Sequence, residues 1–469
     1  MNSDSVPVLA KYVHIDMKGG PPTISYLLEL LELMSSWGAK GLLVEWEDMF
    51  PWAGDIAVLA RPGHYTPEMV ASLLQHAANL GLEVIPLIQT FGHMEFVLKH
   101  SQFQQLREVS RYPNCIRPLG SHCGEVRDLL REMLRQVTAA HTSLKYLHIG
   151  CDEVWCLGQS ERAREYMEKK SLTLTDLYLD HVSGVCSLAR EMVPGLRILV
   201  WDDMMREASL VQLSRVEVEP VVWSYGEVTL APGLLDRYEA AWPGRVWAGS
   251  AWRGATGPAM AVSTITHHLQ NNLSWLAVIR ARESRVAGII MTGWARYDHY
   301  AAHCELLPAS LPSLCSCLSA LTRSTWTEET HREVSDRLAL SEPLVLEPFL
   351  FLGEEPELPK FPGSSIYSGV MTYIRLAAQY NTLMSSAELA TWLNPWQLKN
   401  GFLNPLQTQS TIYQLTGLVS KLKELSVMME SNITLYLHDF TTEEWINTNI
   451  SPKIENIETI ISKALPHIK

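Results

Sequence analysis

Short apolar runs and amphipathic stretches take turns along the first two thirds of the chain, a pattern that predicts parallel strands joined by helices. Eight runs read as strands: 12–17, 41–47, 82–88, 144–150, 196–203, 218–225, 245–252 and 286–294. Each is apolar nearly throughout, as strands buried on both faces are. The intervals carry helical spacing instead. Thr66-Pro67 supplies an N-cap with proline at the first helical position, and Met69, Val70, Leu73, Leu74 and Ala77 then recur until Gly81 stops the run. Leu27, Leu28, Leu31 and Met34 make a similar stripe ahead of Gly38. Eight strand–helix units predict an α/β fold, a (β/α)8 TIM barrel with no exposed sheet edge. A doubly wound open sheet is the alternative, disfavoured by the count of eight and by the lack of a Gly-x-Gly-x-x-Gly turn.

The pattern changes after about residue 325. We therefore divide the chain into a catalytic barrel, 1–325, and a C-terminal, mostly helical region, 326–469. Residues 342–365 are rich in Pro and Glu and read as a connector. Beyond it, 366–380, 387–400, 406–429 and 443–468 have helical periodicity. No chemistry is legible in this region. Its apolar stripes suit either a homodimer interface or a face laid against the barrel.

Composition narrows the classes of function. At 469 residues with 47% hydrophobic and 19% charged content, the chain has material for a large core. A formal charge of −13 argues against nucleic acid as a partner, since phosphate binding needs clustered Lys and Arg. No run of ~20 apolar residues exists to span a membrane. Met1-Asn-Ser-Asp-Ser-Val-Pro7 has neither a basic nor an apolar segment of the signal-peptide kind, so the expectation is cytoplasm or nucleus rather than secretion. Eight cysteines form no Cys-x-x-Cys pair and no zinc-spaced set with His. Reduced thiols are expected, with no metal and no cofactor.

TIM barrels place their active sites at the C-terminal ends of the strands. Acidic residues stand there after strands one (Asp16), two (Glu45, Glu47, Asp48), four (Asp152, Glu153) and five (Asp202, Asp203). Tryptophans recur near the same rim at Trp46, Trp201, Trp223, Trp252 and Trp294. Indole faces stack on the C–H faces of sugar rings and carboxylates accept hydroxyl hydrogen bonds, so the combination suits a carbohydrate site. Each tryptophan taken alone is equally a core filler. Adjacent Asp152 and Glu153 repel, and burial raises the pKa of at least one, which lets two carboxyl groups divide acid and base work. An enzymic nucleophile such as Asp202 is a competing arrangement.

The motif His148-Ile-Gly-Cys-Asp152-Glu153 resembles the His-x-Gly-x-Asp-Glu marker of glycoside hydrolase family 20, the β-N-acetylhexosaminidases. Ile85-Pro-Leu-Ile-Gln-Thr-Phe-Gly92-His93 is similar to that family's Pro-Gly-His turn. Glu47-Asp-Met-Phe-Pro51 and Thr292-Gly-Trp294-Ala-Arg-Tyr-Asp298-His299 resemble its hexosaminidase D branch. The resemblance covers about residues 10–325 and continues into the helical region. It implies an exo-acting, retaining reaction on a terminal N-acetylhexosamine, GalNAc or GlcNAc, assisted by the substrate's own acetamido group. Glu153 would be the proton shuttle, Asp152 the residue orienting the acetamido N–H, and Tyr225 the donor to its carbonyl. Trp201, Trp223 and Trp294 would enclose the sugar, with Trp252, His93, Asp16, Lys18 and Asp298 also at the substrate. His148 is expected to be structural. Departures are Lys18 where larger secreted members carry Arg, Arg296 where many place an acid, and Cys151 in place of a second glycine. A catalytically idle barrel that binds glycan or protein is the competing class.

Overall fold

Eight parallel strands pair in sequence order and close on themselves: β1 (Lys11–Asp16), β2 (Gly41–Glu45), β3 (Glu83–Leu87), β4 (Tyr146–His148), β5 (Arg197–Trp201), β6 (Glu219–Trp223), β7 (Val246–Arg253) and β8 (Val286–Gly293). β1 meets β2 with Tyr12 opposite Gly41, and closes the barrel on β8 with Tyr12 opposite Ile290. The computed structural model describes residues 9–121, 124–281, 286–347 and 360–468. All eight predicted strands are present. The largest contraction is at 144–150, where only Tyr146–His148 is strand.

Side-chain alternation sorts each strand into two faces. Tyr12, Leu43, Leu87, Tyr146, Leu199, Trp201, Val221, Trp247 and Ile290 pack together inside the barrel. Their neighbours Val13, Leu42, Val44, Leu147, Val200, Val222 and Ile289 face the surrounding helices. Burial on both sides is the physical reason these runs lack polar alternation. The helix Pro67–Asn79 follows its sequence signals closely, with Thr66 accepting from the Met69 N–H and Pro67 in the first turn.

The helical C-terminal region is present and is packed on the barrel. The helix Ser364–Met384 follows Gly363 closely enough that Tyr26 Oη donates to the Pro362 carbonyl at 3.0 Å. A long helix, Pro405–Tyr436, exceeds the predicted 406–429. The predicted 387–400 divides into Ala387–Thr391 and Pro395–Asn400 because Asn394 caps the second, accepting from the Trp396 and Gln397 N–H groups. The predicted 443–468 divides into Asp439–Asn449 and Ser451–Ile468, since Pro452 cannot donate to a preceding turn. The middle of the Pro/Glu-rich connector, the N-terminal residues 1–8 and Cys123 lie outside the described residues. The seven described cysteines are buried and form no disulfide. Among the described residues no helix is long and apolar enough to cross a membrane.

Candidate active site

The C-terminal ends of the strands surround a cavity of ≈ 250 Å³. Its floor and walls come from inward positions: Lys18 after β1, Glu45 closing β2, Gln89 and His93 after β3, and Asp152 and Glu153 after β4. Trp223 and Tyr225 follow from β6, and Trp294, Arg296 and Tyr297 from β8. His93, Glu153 and Tyr297 also border an outer cleft of ≈ 710 Å³. Glu153 therefore stands at the boundary between the inner pocket and the open cleft.

Neighbours on a regular strand point to opposite faces, so Asp152 and Glu153 can share a pocket only if the backbone turns. It does. β4 stops at His148, and Gly150, Cys151 and Glu153 all have left-handed φ, at 67°, 68° and 49°. Glu47 (44°) and His93 (50°) are also left-handed, and four of the seven described non-glycine residues of this kind thus lie at or just behind the pocket. Such conformations cost about 1–3 kcal/mol each and persist where surrounding structure holds them. Here Asp203 is part of that support. Its carboxylate accepts the Glu153 N–H at 2.9 Å and the Trp223 indole N–H at 3.3 Å. Gly92 supplies the close approach from the β3 side, since a Cβ there would lie 1.9 Å from the Asp152 carbonyl oxygen.

Charges in the pocket are interlocked. His93 Nε2 lies 3.1 Å from Glu153 and 3.6 Å from Asp152. Burial opposes its charge, but the Asp152 carboxylate and the Glu153 hydrogen bond outweigh burial and push its pKa up to about 10. At neutral pH it is an imidazolium between two carboxyl groups. Asp152 is pushed up to about 7 by burial, with His93 opposing and the charges of Asp203 and Glu45 adding. Gln89 donates to Asp152 at 3.2 Å. Lys18 is only 2% exposed. Burial opposes its charge too, yet Asp16, Glu45 and Glu47 within 3.2–3.7 Å hold its pKa well above the lysine range. Among the described residues, no three His, Cys, Asp or Glu side chains are grouped so as to hold a metal ion.

Aromatic faces complete the cavity. Trp223 and Tyr225 stack with centroids 5.1 Å apart and planes 23° apart. Trp294 meets His14 edge-on at 4.6 Å and rests 5.9 Å from Trp201.

This chain is 36% identical to the human (Homo sapiens) protein Hexosaminidase D, over 98% of this chain and 95% of that protein. It is 42% identical to Hexosaminidase D of Bos taurus, over 71% of this chain and 97% of that one. The family model "Glycosyl hydrolase family 20, catalytic domain" matches residues 40–231. The chain belongs to glycosyl hydrolase family 20. The fold agrees. A family 20 exo β-N-acetylglucosaminidase from Vibrio harveyi, solved with N-acetylglucosamine, superposes with TM-score 0.51 at 17% identity, over 71% of this chain and 57% of that one. A β-N-acetylhexosaminidase from Bacteroides fragilis gives 0.51 at 16%, over 68% and 66%.

Several candidate residues of this family 20 hexosaminidase are placed away from the pocket lining, some by strand register and others by depth in the barrel or by a place in a loop. Trp252 is fully buried on the outer side of β7, against helices. Trp46 follows inward Glu45 and so faces outward, packing on Phe50, Tyr65 and His141. Trp201 is inside the barrel but beneath the pocket, where it supports Trp294. The rim of five tryptophans is therefore two, Trp223 and Trp294. Asp16 lies under the floor, accepting the Lys18 and Ala295 N–H groups, both at 2.8 Å. Asp298 borders the outer cleft and caps its own turn, accepting from Tyr300 and Ala301. His148 is buried against Trp201 and accepts the Gly150 N–H, a structural placement. Asp202 points outward into a paired contact with Arg206 and a hydrogen bond from Tyr238, which removes it as an enzymic nucleophile.

Glu45, Gln89, Asp203 and Arg296 have no assigned place in the site in the sequence reading, although Glu45 and Asp203 stand among its strand-end acids and Arg296 is a departure from the family pattern. Counting inward positions in steps of two from Leu43, Leu87 and Trp201 finds the first three. Arg296 stands out in the sequence only as that departure, which does not say whether its side chain reaches the pocket.

Proposed function

We propose that this family 20 hexosaminidase removes a terminal, non-reducing β-linked N-acetylhexosamine with retention of configuration, through a cyclic intermediate formed by the substrate's own acetamido group. The observation that carries the reading is the turned backbone that presents both Asp152 and Glu153 to one aromatic-walled pocket, with Glu153 at its mouth. A sugar seated against Trp223 and Trp294 has its leaving group directed past Glu153 into the outer cleft. Glu153 passes its proton to the glycosidic oxygen as the C1–O bond breaks. The acetamido carbonyl oxygen bonds to C1 and gives an oxazolinium ion. Asp152 accepts the acetamido N–H and balances the positive charge, while the Tyr225 hydroxyl donates to the carbonyl oxygen. Water then attacks C1 as Glu153 takes its proton, and the acetamido group is restored. Holding that internal nucleophile in place supplies several kcal/mol through effective concentration.

The cavity is near the lower end of the ~300–1,000 Å³ usual for small ligands, which suits one sugar ring and hence exo action. Among the described residues seven thiols are buried with no disulfide, which favours a reducing compartment, cytoplasm or nucleus.

The test is hydrolysis of aryl N-acetyl-β-glucosaminide and N-acetyl-β-galactosaminide. The parent turns over at least one, and Glu153→Gln loses on the order of 10²–10⁴-fold in kcat. Inactivity of the parent on both, or a fully active Gln variant, sinks the proposal. Equal turnover of glycosides lacking the acetamido group removes substrate assistance specifically.

A further inference from the structure

The loop after β1, residues 17–23, brings Lys18 to the pocket, and the helical region grips this loop from outside. The Thr23 N–H donates to the Tyr436 carbonyl at 2.8 Å, and the His438 N–H to that of Pro21 at 3.3 Å. Pro22 pairs with Leu437 in an antiparallel bridge, and Thr441 Oγ1 donates to the Gly19 carbonyl at 3.2 Å. Arg296 closes the sandwich from the barrel side. Its guanidinium lies so close to Gly19 (φ +75°) that a Cβ there would be 2.1 Å from Nη2.

Arg296 lines the pocket yet is only 7% exposed. Nη1 donates to the Ala301 carbonyl at 2.7 Å. Nη2 donates to His303 Nε2 at 2.9 Å and to Glu444 Oε2 at 2.7 Å. His303 serves as a neutral acceptor, because burial and then the charges of Arg296 and Arg253 push its pKa well below the usual value. Glu444 belongs to the helix Asp439–Asn449, so a carboxylate from the helical region neutralises a guanidinium on the sugar pocket. Of the two N–H donors that these contacts leave over, one on Nη1 and that on Nε, the Nε–H is buried and has no partner in the protein. A buried donor of this kind is costly unless something accepts from it. The charges of the pocket decide what that acceptor is. With Arg296 neutralised by Glu444, Lys18 and protonated His93 face Glu45 and Asp152, a balance that suits a neutral, hydroxyl-bearing ligand rather than an anion.

We propose that the helical C-terminal region completes the sugar pocket: Glu444 is a positioning residue that fixes Arg296, whose guanidinium donates to a ring hydroxyl and so determines sugar specificity. The inference rests on the hexosaminidase reading. It gives the helical region a working role and accounts for an arginine where many family members place an acid.

The experiment is a set of full-length variants, Arg296→Ala, Arg296→Lys, Glu444→Ala, Glu444→Gln and the double alanine, assayed on matched gluco and galacto aryl glycosides and their 4-deoxy and 6-deoxy analogues. Thermal melts are run in parallel. Arg296→Ala and Glu444→Ala each raise KM roughly tenfold or more, as loss of a charge-assisted hydrogen bond does, with kcat little changed. Glu444→Gln recovers part of the loss through its amide oxygen. The double variant is no worse than Arg296→Ala, because Glu444 acts through Arg296. One deoxy sugar is penalised by the parent and no longer by Arg296→Ala. If the alanine variants do not fold, the Lys and Gln variants carry the same comparison. A parental KM in Glu444→Gln and Arg296→Lys alike, additive losses in the double variant, or the same deoxy penalties with and without Arg296 overturns the proposal. A parent that hydrolyses nothing defeats the hexosaminidase reading instead.

Discussion

His93 carries a positive charge between Asp152 and Glu153, and the pH dependence of the enzyme follows from it. The proposed mechanism needs Asp152 ionised to accept the acetamido N–H, and its pKa of about 7 already includes the opposing pull of the His93 cation. The acid limb of kcat/KM for the parent accordingly lies near neutrality, with activity lost as pH falls through it. Replacing His93 by Gln removes the cation, so the Asp152 pKa rises and the limb moves to higher pH. Below the limb the loss is about tenfold for each unit it moves. A pH profile of the His93→Gln variant with an unmoved or lowered acid limb would contradict this account. The adjacency of the two carboxyl groups was legible in the sequence, as were His93 and Tyr225 through the family motif. The left-handed turn that makes adjacency useful was not, because no residue type at 151 or 153 demands it.

Strand ends present the chemistry, and a one-residue step decides which side of the barrel a side chain serves. Asp202 and Asp203 show the consequence. Asp202 points outward to Arg206 at 2.7 Å, while Asp203 points inward and ties the Glu153 backbone to Trp223. Asp202→Ala is expected to lower stability by about 2–4 kcal/mol, short of the full cost of breaking a buried pair because Arg206 is 32% exposed. Its KM should stay at the parental value. Asp203→Asn should do the reverse, lowering kcat with a smaller change in melting temperature. A 2-fluoro glycoside should trap no glycosyl adduct on Asp202; a labelled Asp202 peptide in a digest would refute the assignment. The same register rule explains why Trp46 and Trp252 lie in the outer layer, while depth separates inward Trp201 from Trp223 and Trp294 in the pocket.

At the scale of the whole chain, the barrel and the helical region bury each other's apolar surface. Ile366, Val370, Leu415, Leu422, Met429, Ile433 and Leu437 belong to the same continuous core as Leu27, Leu30 and Leu31. A chain ending at 347 uncovers that surface and frees the loop that carries Lys18. We expect it to aggregate, seen as loss of soluble monomer in size-exclusion chromatography, since exposed patches beyond a few hundred Å² drive association. A soluble truncated monomer with the parental KM would show the region to be dispensable.

The sequence by itself determined the barrel, because burial on both faces of a parallel strand writes an unbroken apolar run and the helices between leave their own period and caps. It also marked the adjacent carboxyl groups of Asp152 and Glu153, through a local motif that does not depend on distant residues. Tertiary structure alone decided which rim residues meet the substrate pocket. Facing is set by strand register and local φ rather than by residue type. It also brought Glu444 to Arg296 across 148 positions, a contact that no local pattern encodes.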